Sequence, residues 1–146
     1  MKQVYLAASF GCKNKHEYRK NAERAAEILT EKGFQVFCPW LYQVPHAWDY
    51  YNTEWGLMVF AHDCFMIDTA DVVVMLSYGR DSTAGANWEA GYAYGKGKPV
   101  VVAEMTDDVM SLMVANGRYA TVKGLDGLMS YDFEEMPKTR SDTEQK

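Results

Sequence analysis

The sequence lacks the features that would place it in a membrane, in an oxidising compartment or on a nucleic acid polymer. None of the apolar runs in its 146 residues approaches the ~20 that a membrane span needs. Because Met1-Lys2-Gln3 leads straight into a strand-like segment, we expect no signal peptide. Cys12, Cys38 and Cys64 are odd in number and form no CxxC pair, which favours reduced thiols and a cytoplasmic location. A net charge of −5 argues against a nucleic acid partner but leaves room for one small anion in a pocket.

Motifs that hold metal ions or nucleotide cofactors are also missing. His16, His46 and His62 share no metal-ligand spacing, and the cysteines add no plausible ligand shell. The chain has neither a Gly-Lys-Ser/Thr phosphate loop nor a GxGxxG motif, which argues against a nucleotide triphosphatase and a plain Rossmann dehydrogenase. We therefore predict no metal and no cofactor.

Aromatic side chains are the feature that the chain has in surplus. They make up 14% of the residues, with ten tyrosines and four tryptophans, many beside polar neighbours. Apolar residues at 48% and charged residues at 24% are otherwise ordinary for one globular domain. The surplus of rings indicates a binding site for something flat.

Short apolar runs alternate with segments of helical periodicity along the chain, which indicates βαβ units. The predicted strands are residues 4–8, 34–37, 71–76, 98–103 and 119–122, and the predicted helices are residues 16–32, 53–69, 84–94 and 107–116. The fold class is therefore α/β, a single doubly wound domain with a mostly parallel, roughly five-stranded sheet flanked by helices. The domain spans residues 1–136, and residues 137–146 form a polar tail that we expect to be disordered.

In such a sheet, ligands bind at the carboxyl ends of the strands. Three loops lie there: residues 9–15, residues 77–83 and the segment after Ala103. The second joins a buried strand to a helix start, where free N–H groups can bind an anion. Ser82 or Thr83 as a helix N-cap explains the same residues equally well.

Two carboxyl groups stand out from the surface charges. Glu89 lies in Asn-Trp-Glu-Ala-Gly-Tyr-Ala, among aromatic and small neighbours, although a lone glutamate on a helix is ordinarily a solvated charge. Asp63 lies among Phe60, Cys64 and Phe65, and apolar surroundings raise the pKa of a carboxyl group towards that of a useful proton donor. The pair has the ingredients of a site with one acid and one nucleophile. Gly91 in the same helix suggests close backbone packing.

These segments together resemble the nucleoside 2-deoxyribosyltransferase family. The most specific part is Gly-Ala-Asn-Trp-Glu-Ala-Gly-Tyr-Ala at residues 85–93, and residues 4–8 and 54–71 are similar to further parts of the family pattern. The resemblance implies that Glu89 is the nucleophile, that Tyr5 lies beside it and that Asp63 contacts the base. It also implies that the segment beginning at Asp108 completes the site of a neighbouring subunit.

Two positions depart from the family pattern. Thr83 stands where the transferases usually carry an aspartate that binds the 5′-hydroxyl, and Asp108 stands where asparagine is usual. A hydroxyl at position 83 is similar to the related 5′-nucleotide N-glycosidases and suits a phosphate, with Arg80 as a further contact. The substrate-binding residues we predict are Phe10, Trp55, Ser82, Thr83, Gly85, Asp108, Met110 and Ser111, and Trp40 and Trp48 are further candidates for stacking on a base.

The hypothesis from the sequence is cleavage of the N-glycosidic bond of a 2′-deoxyribonucleoside through a covalent intermediate on Glu89, followed by transfer of the sugar to another base. One alternative is hydrolysis of a deoxynucleoside 5′-monophosphate by the same glutamate. A second alternative is a non-catalytic nucleotide-binding module, and a third is a purely structural domain. The implied partners are a small-molecule substrate and a second copy of the chain, with no nucleic acid polymer and no membrane.

Overall fold

A five-stranded parallel sheet forms the centre of the fold in a computed structural model, which describes residues 2–10, 14–39 and 44–140. The strands lie in the order β2-β1-β3-β4-β5, as predicted for a doubly wound sheet. Their bounds are β1 Gln3–Ala7, β2 Gln35–Phe37, β3 Val72–Ser77, β4 Val100–Glu104 and β5 Ala120–Lys123. All four neighbouring pairs are parallel. The predicted α/β fold class is confirmed.

Helices cover both faces of the sheet. Their bounds are α1 Lys15–Glu31, α2 Asn52–Thr69, α3 Ala84–Gly95, α4 Leu112–Gly117 and α5 Gly124–Ser130. Side chains of α1 and α5 form one core cluster, and those of α2, α3 and α4 form the other. Strand residues alternate between the two clusters, since Leu6 belongs to the first and Tyr5 to the second. All of β3 is buried, as expected of a central strand covered on both faces.

The order of the strands fixes where a ligand can bind. The chain leaves β1 for β2 on one side and returns to β3 on the other, so the crevice of a doubly wound fold opens at the carboxyl ends of β1 and β3. Tyr5 of β1 points to the face that α2 and α3 cover. The candidate carboxylates Asp63 and Glu89 belong to those two helices.

Three features of the helices differ from the predictions. The predicted helix over residues 107–116 begins only at Leu112, since the ψ of 136° at Ser111 is not helical, and the Asp108 side chain before it binds the backbone N–H of Arg80. Helix α5 was not predicted, since its seven residues include two glycines. The prediction that the backbone packs closely at Gly91 is wrong, because a Cβ at this position would meet no atom of a neighbouring element within 4 Å. Gly33, with a φ of 96°, ends α1 as predicted.

The chain after α5 returns to the edge of the sheet. The backbone N–H of Thr121 donates to the carbonyl of Thr139, and the Thr139 hydroxyl donates to the carbonyl of Thr121. The first residues of the predicted polar tail therefore cover the outer edge of β5. Residues 141–146 of that tail lie outside the described residues.

Among the described residues, no helix is long and apolar enough to cross a membrane.

Candidate active site

The centre of the candidate site is a hydrogen bond between a buried tyrosine and a half-buried glutamate. Tyr5, with no exposed surface, donates its hydroxyl hydrogen to Oε2 of Glu89. The tyrosine comes from the middle of β1 and the glutamate from the second turn of α3, so the bond joins the sheet to the helix that covers it. Phe37 packs against the Tyr5 ring with centroids 5.6 Å apart. The pairing predicted between Tyr5 and Glu89 is present in the structure.

Burial alters the acidity of Glu89. It raises the pKa of the carboxyl group from 4.5 to about 8, because a buried charge loses its hydration. The Tyr5 hydroxyl acts in the opposite direction, since a donated hydrogen bond favours the carboxylate. The tyrosine therefore helps the glutamate ionise in surroundings that penalise its charge.

Asp63 supplies the second carboxyl group of the site. Burial raises its pKa from 3.8 to about 6. Its Oδ1 is buried and has no hydrogen-bond partner among the described residues. Helix α2 brings this group alongside α3, since Phe60 packs on Trp88 at 5.4 Å and Tyr92 donates a 2.8 Å hydrogen bond to Asp68. A carboxyl group that titrates near neutrality and lacks a partner is suited to hydrogen-bond or protonate a bound molecule.

The loop between β3 and α3, which comprises residues 79–83, borders the site at the start of α3. Thr83 is the N-cap of the helix, and its Oγ1 accepts a hydrogen bond from the N–H of Ala86 at 3.3 Å. Its own N–H donates to Oγ of the buried Ser9, which follows β1. Ser82 Oγ accepts from the N–H of Tyr78. The structure therefore agrees with the prediction that Thr83 is a helix N-cap.

Asp108 binds to the same loop within its own chain. Its carboxylate accepts the N–H of Arg80 at 2.9 Å and forms an ion pair with the guanidinium at 3.0 Å. Gly79, with a φ of 62°, permits this approach, since a Cβ there would lie 2.6 Å from Asp108 Cβ. Arg80, mainly through its side-chain hydrogen bond, holds the pKa of Asp108 down at about 2.

The other predicted substrate residues differ in their burial and in the face of the sheet on which they lie. Met110 is half-buried against the α2–α3–α4 core, whereas Phe10 packs against the core on the opposite face of the sheet. The remaining ones are Gly85 and Ser111, both exposed, and Trp55, which is 44% exposed at the start of α2. Trp48 is 82% exposed, and Trp40 lies outside the described residues.

Sequence reasoning missed the side chains that hold the 79–83 loop from the other face of the sheet. The rings of Tyr18 and Tyr78 stack at 3.5 Å, and the Tyr18 hydroxyl donates to Asp81 at 2.5 Å. Asn21 donates to the Tyr78 hydroxyl at 3.0 Å. The helical spacing of the sequence identifies Tyr18 as a core position of α1. Its contacts with Tyr78 and Asp81, 60 or more positions along the chain, leave no local pattern in the sequence.

Metal ligands do not cluster anywhere in the described part of the chain, in which no group of three His, Cys, Asp or Glu residues could hold an ion.

Enzymes that cleave glycosidic bonds commonly use a pair of carboxyl groups, one as the acid and one as the nucleophile or base. The family model described as nucleoside 2-deoxyribosyltransferase matches residues 4–137. The chain therefore belongs to the nucleoside 2-deoxyribosyltransferase family, whose members act on N-glycosidic bonds.

Solved structures agree with this assignment. A 2-deoxyribosyltransferase from Bacillus psychrosaccharolyticus is similar over 95% of this chain and 98% of its own, with 27% identity and a TM-score of 0.79. A 2-desoxiribosyltransferase from Leishmania mexicana shares the fold over 96% of this chain and 83% of its own, with 19% identity and a TM-score of 0.51. A CMP N-glycosidase from Clostridium botulinum covers 70% of this chain and 71% of its own at 22% identity, and its TM-score of 0.48 is too low to bear on function. A search of curated protein sequences finds no significant match.

Stability should depend on pH through Glu89. Because folding raises its pKa from 4.5 to about 8, the protonated glutamate stabilises the fold fully below pH 4.5, and this stabilisation is lost as the pH rises through about 8. We expect the free energy of unfolding of the wild type to fall relative to Glu89→Gln between pH 5 and pH 8.5, by ~1–3 kcal/mol. Urea denaturation across this range measures the difference.

The matched control is Glu54→Gln, which makes the same change at an exposed position of α2. It should follow the wild type at every pH. If the free energies of unfolding of the wild type and of Glu89→Gln changed with pH in the same way, this would contradict a raised pKa at Glu89.

Proposed function

We propose that the protein transfers 2-deoxyribose from a deoxyribonucleoside to a second nucleobase, with Glu89 as the nucleophile. The observation that carries this proposal is the hydrogen bond between Tyr5 and Glu89 in a chain that belongs to the nucleoside 2-deoxyribosyltransferase family. The neighbour with a TM-score of 0.79 supports transfer, since it is a 2-deoxyribosyltransferase.

The first step breaks the bond between C1′ and the base. A carboxylate oxygen of Glu89 forms a bond to C1′ while the C1′–N bond breaks, and the electron pair of that bond passes to the base nitrogen. Asp63 gives its proton to the departing base. Tyr5 holds Oε2 of Glu89, which leaves Oε1 to approach the sugar. In the second step, a nitrogen of the incoming base gives its proton to Asp63 and bonds to C1′, while the C1′–O bond to Glu89 breaks and its electron pair returns to the carboxylate, which restores the enzyme.

The raised pKa of Asp63 fits its proposed role as the acid, whereas the burial of Glu89 opposes the ionised form that attack requires. Asp63, with a pKa of about 6, retains a protonated fraction near neutrality and can act as an acid. Glu89 must be ionised to attack, and the Tyr5 hydroxyl favours that form. A buried carboxylate with little hydration is a stronger nucleophile than an exposed one, because fewer water molecules must leave before it reacts.

Removal of the nucleophile tests this function directly. Glu89→Gln keeps the shape of the side chain but cannot form the ester to C1′, and we expect kcat to fall by at least ~1,000-fold. The assay incubates deoxynucleosides with a different free base and separates products by chromatography. Glu31→Gln, at an exposed position of α1 on the opposite face of the sheet, serves as the control and should retain wild-type turnover. Near-wild-type transfer by Glu89→Gln would overturn the proposed role.

A second copy of the chain completes this proposal. Ile67 is the fully buried residue of α2, whereas five of its large apolar side chains are exposed: Trp55, Leu57, Met58, Phe60 and Phe65. Val109, Leu112 and Met113, at and before the start of α4, are exposed as well. Surfaces of this kind mark protein interfaces, and the family resemblance implies that the segment from Asp108 to Ser111 enters a neighbour's site. A cytoplasmic location accords with the free thiols of Cys38 and Cys64.

A substitution that prevents two copies of the chain from associating should therefore also lower the activity. We expect Leu57→Glu to shift the protein towards monomer in sedimentation analysis and to lower kcat/KM by ~10-fold or more, because a charge is buried in the interface. Met129→Glu places the same charge on α5, on the opposite face of the sheet, and should leave both unchanged. A fully active wild-type monomer would rule out a shared site.

A further inference from the structure

A cavity of about 440 Å³ opens at the amino edge of the sheet, beside the starts of β4 and β5. Among the described residues that line it, none is a carboxylate and four are cations: Lys98, Arg118, Lys138 and Arg140. The chain as a whole has 15 lysines and arginines against 20 aspartates and glutamates, so its composition does not explain this cluster. In a second cavity, beside α5, two lysines are accompanied by Asp132 and Glu134. The cavity at the starts of β4 and β5 is therefore distinctly basic.

Two of these cations reach the cavity through the segment that follows α5. Thr139 exchanges two hydrogen bonds with Thr121 of β5, which fixes the segment on the edge of the sheet. Lys138 and Arg140 lie on either side of Thr139 in the chain, and both line the cavity. Arg118, just ahead of β5, donates from Nε to the hydroxyl of the same Thr121 at 2.6 Å. The return of the chain to this edge thus places new positive charges beside those ahead of the strands.

Three of the cations are not neutralised by a carboxylate. Arg140 donates from one NH2 group to two backbone carbonyls, one of which belongs to Tyr119. Lys138 Nζ lies 5.2 Å from the centroid of the Tyr119 ring. Neither of them forms an ion pair within the described part of the chain, and nor does Lys98. Because like charges in one cavity repel each other, an anion that binds between them relieves this repulsion.

The chemistry of the cavity fits a small anion with several phosphate groups. Guanidinium and ammonium groups donate charge-assisted hydrogen bonds to phosphate oxygens. Four cations match the charge of two or three linked phosphates better than that of a single phosphate, which carries roughly two negative charges. The volume lies within the range of ~300–1,000 Å³ that small-molecule sites have, whereas a nucleic acid polymer is bound by an extended basic surface. The ring of Tyr94, which is 65% exposed, lines the same cavity and offers a face on which a nucleobase could stack.

The cavity lies at the opposite edge of the sheet from the crevice of the candidate active site. Val100, the first residue of β4, lines the cavity, and the strand runs on to Glu104 at its carboxyl end. At ~3.3 Å per residue, the two edges of the sheet are ~13 Å apart along this strand. A ligand in the cavity therefore does not occupy the crevice.

We propose that this basic cavity is a second binding site, which takes a small anion with two or more linked phosphate groups. Lys98, Arg118, Lys138 and Arg140 bind the phosphate oxygens, and occupation of the site stabilises the fold because the ligand binds the folded chain. The site is independent of the proposed function, since it uses none of the residues of the crevice.

Titration calorimetry with tripolyphosphate tests the site. We expect the wild type to bind one molecule per chain, and Lys98→Glu and Lys138→Glu each to weaken binding by at least ~10-fold, since each reverses a charge at the phosphate groups. Lys138 is exposed, so its variant decides the matter if Lys98→Glu does not fold. The matched control is Lys20→Glu, at an exposed position of α1 on the opposite face of the sheet, which should bind as the wild type does. Glu89→Gln should also bind tripolyphosphate with unchanged affinity, because the crevice is not involved.

A comparison of ATP with tripolyphosphate identifies the source of the phosphate groups. Tighter binding of ATP, with the advantage lost in Tyr94→Ala, would support a nucleotide as the ligand, whereas equal binding of the two would support an inorganic polyphosphate. The proposal would be overturned if neither compound bound, if Lys98→Glu and Lys138→Glu both bound as tightly as Lys20→Glu, or if only a single-stranded oligonucleotide bound. Loss of tripolyphosphate binding in Glu89→Gln would overturn it as well, because the anion would then lie in the crevice.

Discussion

The hydrogen bond between Tyr5 and Glu89 is the constraint on which the site depends. It joins the centre of the sheet to the helix above it and holds a carboxyl group whose burial alone would keep it protonated near neutrality. A buried carboxylate is costly without a donor, and the tyrosine supplies one from a position that has no exposed surface. The proposed nucleophile and its support come from a helix and a strand rather than from loops, and such elements hold side chains more rigidly than loops do.

The carboxyl edge of the sheet complements this centre. Asp63 on α2 retains an unpaired buried oxygen on the side where a base would lie. On the other side, the backbone N–H groups of the 79–83 loop donate within the protein, and the charges of Arg80 and Asp81 in that loop cancel. The exposed apolar side chains of α2 provide the surface through which a second copy would close the site.

The fold and the central residues could be predicted from the sequence because their signals are local. Five apolar runs alternating with helical periods define a parallel sheet, and the segment around Glu89 is specific enough to indicate the family. The role of Asp108 could not be predicted, since its partner Arg80 lies 28 positions away and their contact depends on the positive φ of Gly79. The anchoring of Asp81 by Tyr18 depends likewise on packing across 63 positions. Helix α5 was missed because burial of Leu128, rather than helix propensity, stabilises it.

The most direct test of the account is identification of the covalent intermediate. Wild-type protein is mixed with a deoxyribonucleoside in the absence of an acceptor base, quenched in acid and digested, and the peptides are analysed by mass spectrometry. The account predicts a deoxyribosyl group on the peptide that contains Glu89, and fragmentation should place it on that residue. Release of free base with the sugar attached to another side chain, or with no adduct at any quench time, would contradict the account.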